Sequence, residues 1–362
     1  MVSITTDSRN FESNRNYSFD ILRIFACFMV IVNHTNSWVF MTYFPSASGH
    51  LSLALFFISK TAVPIFFMIS GALLLGKRDT YRIAYGKRAF RIFLDILVFS
   101  IISFCITNHG FNGFSFDTIR SMINNPIITP YWYLYSYLGI MLMLPFLQKM
   151  VQALNKRDYI ILLSLLFISR PFLSFLSYLG LLPAISDFFS RNLFSGEIFY
   201  FLLGYFIMNN IPDWSQKKKL NCRIMIACLI LFLAGILFCW YRTGLEFYQN
   251  GKFTLRLDHI YNLPIFIPSL SLFILTILLF QNVQFHAISS KFIRTVSQAT
   301  FGVYLTHNIG ITLSRPVLQF LCSNMNDWIA VLITDFIIFT CCTIIIYLLR
   351  KIPLIKKLRK LQ

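Results

Sequence analysis

The sequence predicts an all-α, polytopic integral membrane protein with about ten transmembrane helices and both termini in the cytoplasm. Hydrophobic residues make up 57% of the 362-residue chain and charged residues only 13%, whereas a soluble domain carries about 25% charged residues. Apolar runs long enough to cross a bilayer recur along the chain. Lysine and arginine concentrate in every second connector, and the positive-inside rule places those connectors in the cytoplasm.

The apolar runs define the predicted spans, because a helix needs about 20 mostly apolar residues to cross the hydrocarbon core. The runs comprise residues 18–41, 51–75, 90–108, 131–150, 158–182, 194–211, 221–241, 260–282, 296–320 and 328–349. They form one predicted transmembrane domain, residues 17–349, between a cytoplasmic N-terminal tail, 1–16, and a basic cytoplasmic tail, 350–362. We expect no cleavable signal peptide, because the first sixteen residues are polar and carry both signs of charge.

The net charge of +18 follows from this topology, since most basic residues lie in the predicted cytoplasmic connectors. The expected partner of these residues is anionic lipid of the inner leaflet, and we expect no nucleic-acid binding. The eight cysteines lie mostly inside apolar runs, and no Cys-x-x-Cys or Cys/His ligand spacing occurs. We therefore expect small core residues rather than disulfides or a metal site.

The first predicted span carries three polar groups, Asp20, Arg23 and His34. His34 follows Arg23 by eleven positions, which is about three helical turns, so both side chains share one face about 16 Å apart along the axis. Asp20 precedes Arg23 by one turn and can pair with it. Two interpretations remain at this point: an interfacial ion pair with a packing histidine, or a functional site.

Two further features lie near the predicted cytoplasmic ends of the second and third spans. Arg88 and Arg91 share a helix face and suit phosphate, because a guanidinium donates two parallel hydrogen bonds; membrane anchoring is the alternative. Asp95 follows Arg91 by one turn and can pair with it. The Ser70–Gly71 pair permits close approach of another helix or of a ligand.

A third group of polar residues belongs to the predicted outer half of the membrane. Glu197 begins the sixth span, and His307 lies in the ninth, at a depth similar to that of His34. Trp132 belongs to an aromatic belt at the start of the fourth span. Three titratable groups at one depth favour acid–base chemistry if they meet.

These motifs resemble the membrane-bound acyltransferase-3 family, integral membrane enzymes that O-acetylate surface sugars. The similarity covers nearly the whole chain, and the layout is most similar to stand-alone members that acetylate enterobacterial common antigen or O-antigen. We therefore expect no appended esterase-like domain. The matching motifs are Asp20–Arg23–His34, the Arg-x-x-Arg of Arg88 and Arg91, the Pro-x-Phe-Phe-x-x-Ser-Gly stretch of Pro64–Leu74, the aromatic segment Trp132–Leu134, Phe201–Tyr205 and Gly302–His307.

The resemblance implies a bacterial enzyme of the inner membrane. Its donor co-substrate would be acyl-CoA, most typically acetyl-CoA, with no tightly bound cofactor, and its acceptor a glycan or lipid-linked saccharide. The implied catalytic residues are His34, Arg23 and Asp20; those implied for acyl-CoA binding are Arg88, Arg91, Ser70 and Gly71; and the acceptor-site candidates are Glu197, His307 and Trp132. His34 would act as general base or as transient acyl carrier.

Two other functional classes fit ten spans with buried charges. One is a transporter or flippase of a lipid-linked glycan, and the other is a non-catalytic scaffold with the same fold. Neither class explains the aligned Arg23 and His34 or the arginine pair. The sequence leaves the acceptor sugar and the oligomeric state open.

Overall fold

The structure, a computed structural model, describes residues 17–108, 110–111, 113–183, 196–210, 218–280 and 283–352. Within these ranges the chain is helical and contains no β-strand, which confirms the predicted all-α class. The predicted N-terminal tail and most of the predicted C-terminal tail lie outside the described residues.

Fifteen α-helices follow one another along the described chain. They are α1 (Tyr17–Thr35), α2 (Ser37–Tyr43), α3 (Ala47–Ser59), α4 (Ala62–Leu74), α5 (Phe90–Thr107), α6 (Phe116–Asn124), α7 (Trp132–Ala153), α8 (Lys156–Phe167), α9 (Leu173–Tyr178), α10 (Gly196–Asn210), α11 (Lys218–Asn250), α12 (Leu263–Phe280), α13 (Ala287–Leu313), α14 (Arg315–Cys322) and α15 (Asp327–Leu349). Two π-helical segments, Arg82–Ala89 and Ile168–Phe172, and a short 3₁₀ turn, Thr129–Tyr131, lead into α5, α9 and α7.

Eight helical segments of the described chain are long and apolar enough to cross a membrane, which confirms a polytopic membrane protein. They are Tyr17–Thr35, Ala47–Leu74, Arg82–Thr107, Thr129–Ala153, Lys156–Tyr178, Lys219–Asn250, Leu263–Phe280 and Asp327–Leu349. The two other predicted spans correspond to α10, with 15 described residues, and to α13, which is interrupted by polar side chains. The total of ten therefore stays a prediction.

Helix α1 lies at the centre of the bundle, in contact with α3, α4, α12, α13 and α15. It runs parallel to α13, because Cys27 contacts Thr300 and His34 contacts His307 at the same spacing. We call the end of the bundle that carries Arg88 the Arg88 end, and the opposite end, where the connector 251–262 lies, the loop end. The predicted topology places the Arg88 end in the cytoplasm.

The closest helix pair consists of α4 and α10, and glycine makes it possible. A Cβ added at Gly71 would lie 1.7 Å from the carbonyl oxygen of Phe201, and one at Gly204 would lie 2.0 Å from that of Met68. Small residues let helix backbones approach closely in membranes. Gly71 therefore faces a neighbouring helix, and a contact between Gly71 and acyl-CoA stays a prediction.

The second span is broken in its middle, between α3 and α4. Pro64 has no amide hydrogen for the carbonyl of Lys60 four positions earlier, and its ring crowds that carbonyl. The helix accordingly ends at Ser59; the amide of Thr61 bonds three positions back to Ile58, and the bonding four positions back resumes with the amide of Ile65, which donates to Thr61. Lys60 lies at this break, with its side chain 16% exposed.

Candidate functional site

A cavity of about 300 Å³ lies beside α1 in the half of the bundle towards the loop end. Side chains from six parts of the chain line it: α1, the break after α3 with the start of α4, the start of α7 with the turn before it, the start of α10, the connector before α12, and α13. The chemically active or aromatic groups among them include His34, Lys60, Trp132, Tyr133, Glu197 and Asp258.

Two histidines meet at the wall of the cavity. The rings of His34 and His307 stack with centroids 5.5 Å apart and planes inclined by 29°. His34 is half-buried and lines the cavity, whereas His307 is fully buried behind it. The structure thus brings together two of the residues whose meeting the sequence could not establish.

The hydrogen bond of His307 determines which of its nitrogens carries a proton. Nδ1 lies 2.5 Å from the carbonyl oxygen of Tyr304, and a carbonyl can only accept, so Nδ1 donates and Nε2 bears the lone pair. Nε2 is buried and has no hydrogen-bond partner among the described residues. In the neutral form of His307 the acceptor nitrogen is therefore Nε2.

Two tyrosines join the turn before α7 to α13 and so position the aromatic wall. The Tyr131 hydroxyl donates to the carbonyl of Leu305 at 2.5 Å, and the Tyr304 hydroxyl donates to the carbonyl of Pro130. Both bonds are buried, where a hydrogen bond is costly to break. They hold Trp132 and Tyr133 next to the histidine pair.

Glu197 lies in the first turn of α10 and is only 7% exposed. It accepts a hydrogen bond from the Ser136 hydroxyl at 3.2 Å, and Tyr261 lies beside it. The guanidinium of Arg170 lies 5.0 Å from the centre of the Tyr261 ring, a cation–π distance. Glu197 lines the cavity, and its role at an acceptor site stays a prediction.

The sequence analysis gave no role to Lys60 or to Asp258, yet both line the cavity. The Lys60 ammonium lies 3.5 Å from Oδ2 of Asp258 and 4.2 Å from the centre of the Phe56 ring. A lysine in the middle of the second span was a visible signal, since an ionisable residue inside a span is a functional candidate. Nothing in the connector 251–262 identified Asp258.

Nearer the Arg88 end, Asp20 and Arg23 form the predicted pair, with Nη1 of Arg23 3.6 Å from Oδ1 of Asp20. Asp20 is buried, and the Ser297 hydroxyl on α13 donates to it at 2.6 Å. The carboxylate thus anchors α1 to α13 and orients Arg23. Arg23 does not line the cavity with His34, in agreement with their separation of about 16 Å along the helix.

Polar and aromatic side chains connect the cavity to the Arg88 end. Tyr133, which lines the cavity, stacks on Tyr137 one turn further along α7, with ring centroids 5.7 Å apart and planes inclined by 10°. The Ser70 hydroxyl lies beside both phenols. The charges of Arg23 and Arg88 act on Tyr137. We call Arg23, Ser70, Tyr133 and Tyr137 the polar lane.

Arg88 and Arg91 have different surroundings. Arg88 points inward and forms two hydrogen bonds to Asp79, from Nε at 3.0 Å and from Nη2 at 3.2 Å. Arg91 points outward; its side chain is 46% exposed and lies 3.7 Å from Asp95, as predicted. The pair therefore offers, at the same rim, one guanidinium fixed by hydrogen bonds and one that is exposed.

A hydrogen-bond network holds Arg88 in place. The Gln148 side chain accepts from the amide of Asp79 at 3.0 Å and donates to its carboxylate at 3.1 Å. Burial alone would raise the pKa of Asp79, but the hydrogen bonds from Arg88 and Gln148 and the charges of Arg88 and Lys77 outweigh it and lower that pKa. Asp79 is therefore an anion that fixes the Arg88 guanidinium at neutral pH.

The structure thus places His34, Glu197 and Trp132 at one cavity, His307 buried behind His34, and Arg23 and Ser70 on the lane below the cavity. Within the described parts of the chain, no three histidine, cysteine or acidic side chains converge as a metal site.

One comparison with known proteins carries an identification. The profile of a family described as an acyltransferase domain, of the acyltransferase-3 type, matches residues 16–349, nearly the whole chain. No curated protein and no solved structure matches the chain.

Proposed function

Since the chain belongs to the acyltransferase-3 family and is a membrane acyltransferase, we propose that it transfers an acetyl group from cytoplasmic acetyl-CoA to a hydroxyl of a cell-surface or lipid-linked glycan. One observation carries the proposal. The cavity that holds His34 lies towards the loop end, whereas the polar lane leads from it to two arginines at the opposite end. The arrangement suits a donor and an acceptor that approach from opposite sides.

The donor enters at the Arg88 end. Arg88, fixed by Asp79, and the exposed Arg91 hold the phosphates of coenzyme A, because guanidinium forks match phosphate oxygens. The pantetheine arm then extends along the polar lane, past the Ser70 hydroxyl. A chain of about 15 Å covers the distance between the levels of Arg23 and His34, about 16 Å at 1.5 Å per residue. The thioester arrives beside His34.

His34 acts as general base in the transfer. Its imidazole takes the proton of the acceptor hydroxyl while the hydroxyl oxygen attacks the thioester carbonyl. The carbon–sulfur bond then breaks, and the departing thiolate of coenzyme A receives that proton from the imidazolium. The base must be neutral before the step, because only the neutral imidazole can accept the proton. Transient acetylation of His34 is the alternative course.

The wall opposite the donor receives the acceptor. Glu197 accepts hydrogen bonds from sugar hydroxyls, and Trp132 contributes an aromatic face. Each of these two groups can bind a hydroxyl or a C–H face without a change of protonation. His307, buried behind His34, supports the His34 ring by stacking on it. Arg23 and Asp20 act at the other end of the helix, where they line the donor path.

The test is a transfer assay on the purified protein in lipid nanodiscs. Labelled acetyl-CoA is the donor, and membranes of the host strain that lack the protein supply the acceptor. We expect label in the glycan fraction with wild type, and a loss of at least about 100-fold with His34→Ala. The matched control is His286→Ala, at an exposed position before α13.

Wild-type activity in His34→Ala would refute the catalytic role. A transporter of lipid-linked glycan would release no coenzyme A from acetyl-CoA under any of these conditions, so thiol release in the same assay distinguishes the two classes.

A further inference from the structure

The ion pair between Lys60 and Asp258 has no part in the scheme above, although both residues line the cavity with His34. We propose that Lys60 and Asp258 determine acceptor specificity by binding two neighbouring hydroxyls of the sugar, a vicinal diol. The inference rests on the proposed function and adds a substrate class to it: a neutral polyhydroxylated acceptor.

The geometry of the pair leaves room for a ligand. The ammonium and carboxylate are 3.5 Å apart, whereas a charge-assisted N–H···O bond is typically about 2.7–2.9 Å long. The two side chains are 16% and 34% exposed, so neither is sealed from the cavity. An ammonium has three donors and a carboxylate about four acceptor sites, and a single mutual contact leaves most of them available.

A contribution to folding stability does not explain why the Lys60–Asp258 ion pair lies where it does. Lys60 lies at the break in the middle of an apolar span, where Pro64 interrupts the backbone bonding. A charged group at such a depth is expensive, and a buried ion pair is weak evidence for stability because desolvation offsets the attraction. The Phe56 ring at 4.2 Å from the ammonium holds it towards the cavity.

The two residues approach from separate elements. Lys60 belongs to the break between α3 and α4, and Asp258 belongs to the connector that also brings His259 and Tyr261 to the cavity wall. This connector lies at the loop end, the side opposite the donor arginines. The pair therefore stands on the acceptor's route and away from the acetyl-CoA lane.

The charges that line the cavity favour a neutral acceptor. They are the ammonium of Lys60 and the carboxylates of Glu197 and Asp258. A phosphate or carboxylate on the acceptor would meet two like charges and one opposite charge. A diol suits the pair better, because one hydroxyl donates to Asp258 while its neighbour accepts from Lys60.

The test measures acceptor saturation separately from donor saturation. Acetyl transfer is assayed with labelled acetyl-CoA, and the amount of acceptor membrane from the strain that lacks the protein is varied. We expect Lys60→Met and Asp258→Asn each to raise the half-saturating amount of membrane by at least about tenfold, since each loses a hydrogen bond to a charged group. The half-saturating acetyl-CoA concentration should change less than about twofold.

The matched control is Lys252→Met, which removes a charge from an exposed position of the same connector and should leave both values unchanged. Lys60→Arg keeps the charge and should retain part of the acceptor affinity. In a second measurement the acceptor membranes are first treated with periodate, which cleaves vicinal diols. The wild-type protein should then transfer no acetyl group to them.

Several outcomes would overturn the inference. Unchanged acceptor saturation in both variants would do so, as would equal shifts for donor and acceptor with a lowered melting temperature, the result expected of a structural ion pair. Full acceptor capacity after periodate would exclude the diol. Absence of any transfer by wild type would instead refute the proposed function, and the inference with it.

Discussion

The imidazole of His307 stacks on that of His34 at a centroid distance of 5.5 Å. His307 lies three residues after Tyr304, and its Nδ1 binds that residue's carbonyl, so the helix itself selects the tautomer. One histidine of the pair thus faces the cavity, and the other is held in a single orientation behind it. The two histidines therefore have different roles: His34 faces the cavity, and His307 packs behind it.

The first prediction concerns His307. His307→Phe keeps an aromatic ring against His34 but removes the free Nε2. We expect kcat to fall by about tenfold, with no change in the KM for acetyl-CoA, because the general base His34 loses the polar ring that stacks on it, at a cost comparable with one neutral hydrogen bond. Steady-state kinetics in nanodiscs check this. His50→Phe, at an aromatic contact outside the cavity, is the control, and a raised acetyl-CoA KM in His307→Phe would contradict the assignment.

The second prediction concerns Asp79. Asp79→Asn replaces the anion that fixes Arg88 with a neutral amide. We expect the KM for acetyl-CoA to rise by about fivefold to tenfold and kcat to stay within about twofold, because a loosened guanidinium binds phosphate less well. Asp117→Asn, on the exposed surface of α6, is the control. If Arg88→Ala alone and Arg88→Ala combined with Asp79→Asn raise the KM for acetyl-CoA equally, Asp79 acts through Arg88. A larger KM in the double variant than in Arg88→Ala would contradict that role.

The third prediction is the acid dependence of the same pair. The folded pKa of Asp79 lies below its ordinary value of 3.8, so its contribution to stability is complete above about 3.8 and is lost as pH falls through the folded pKa. Melting temperatures measured from pH 7 to pH 3 should fall more steeply for wild type than for Asp79→Asn, and only below about pH 4. Parallel curves would contradict the ion-pair contribution.

The fourth prediction concerns the close approach of α4 and α10. Gly71→Ala forces a Cβ to within 1.7 Å of the Phe201 carbonyl oxygen, so the helices must separate. We expect a loss of at least about 2 kcal/mol of stability, since overpacking costs about 1–3 kcal/mol. Gly139→Ala, where no atom lies within 4 Å, should be neutral or stabilising. Thermal unfolding in detergent compares the two, and similar melting temperatures would show that α10 can move.

The sequence alone predicted the helices and the ion pairs between residues about one helical turn apart. Asp20–Arg23 and Arg91–Asp95 are each separated by about one turn, and both pairs are present in the structure. Helical spacing makes such pairs meet whatever the tertiary packing. The shared depth of His34 and His307 was likewise predictable from helix rise and orientation, and the contact between their rings was not.

The remaining features depend on helices that are distant in the chain. Lys60–Asp258, Asp79–Gln148 and Gly71–Phe201 each join residues whose separation obeys no helical period. Hydropathy and loop charge define which segments cross the membrane. Apolar runs enter the hydrocarbon core, and loops rich in lysine and arginine stay on the cytoplasmic side, wherever in the chain they occur. Which side of each helix faces which neighbour depends on side-chain packing between helices, and that packing alone turned six separate polar residues into one cavity.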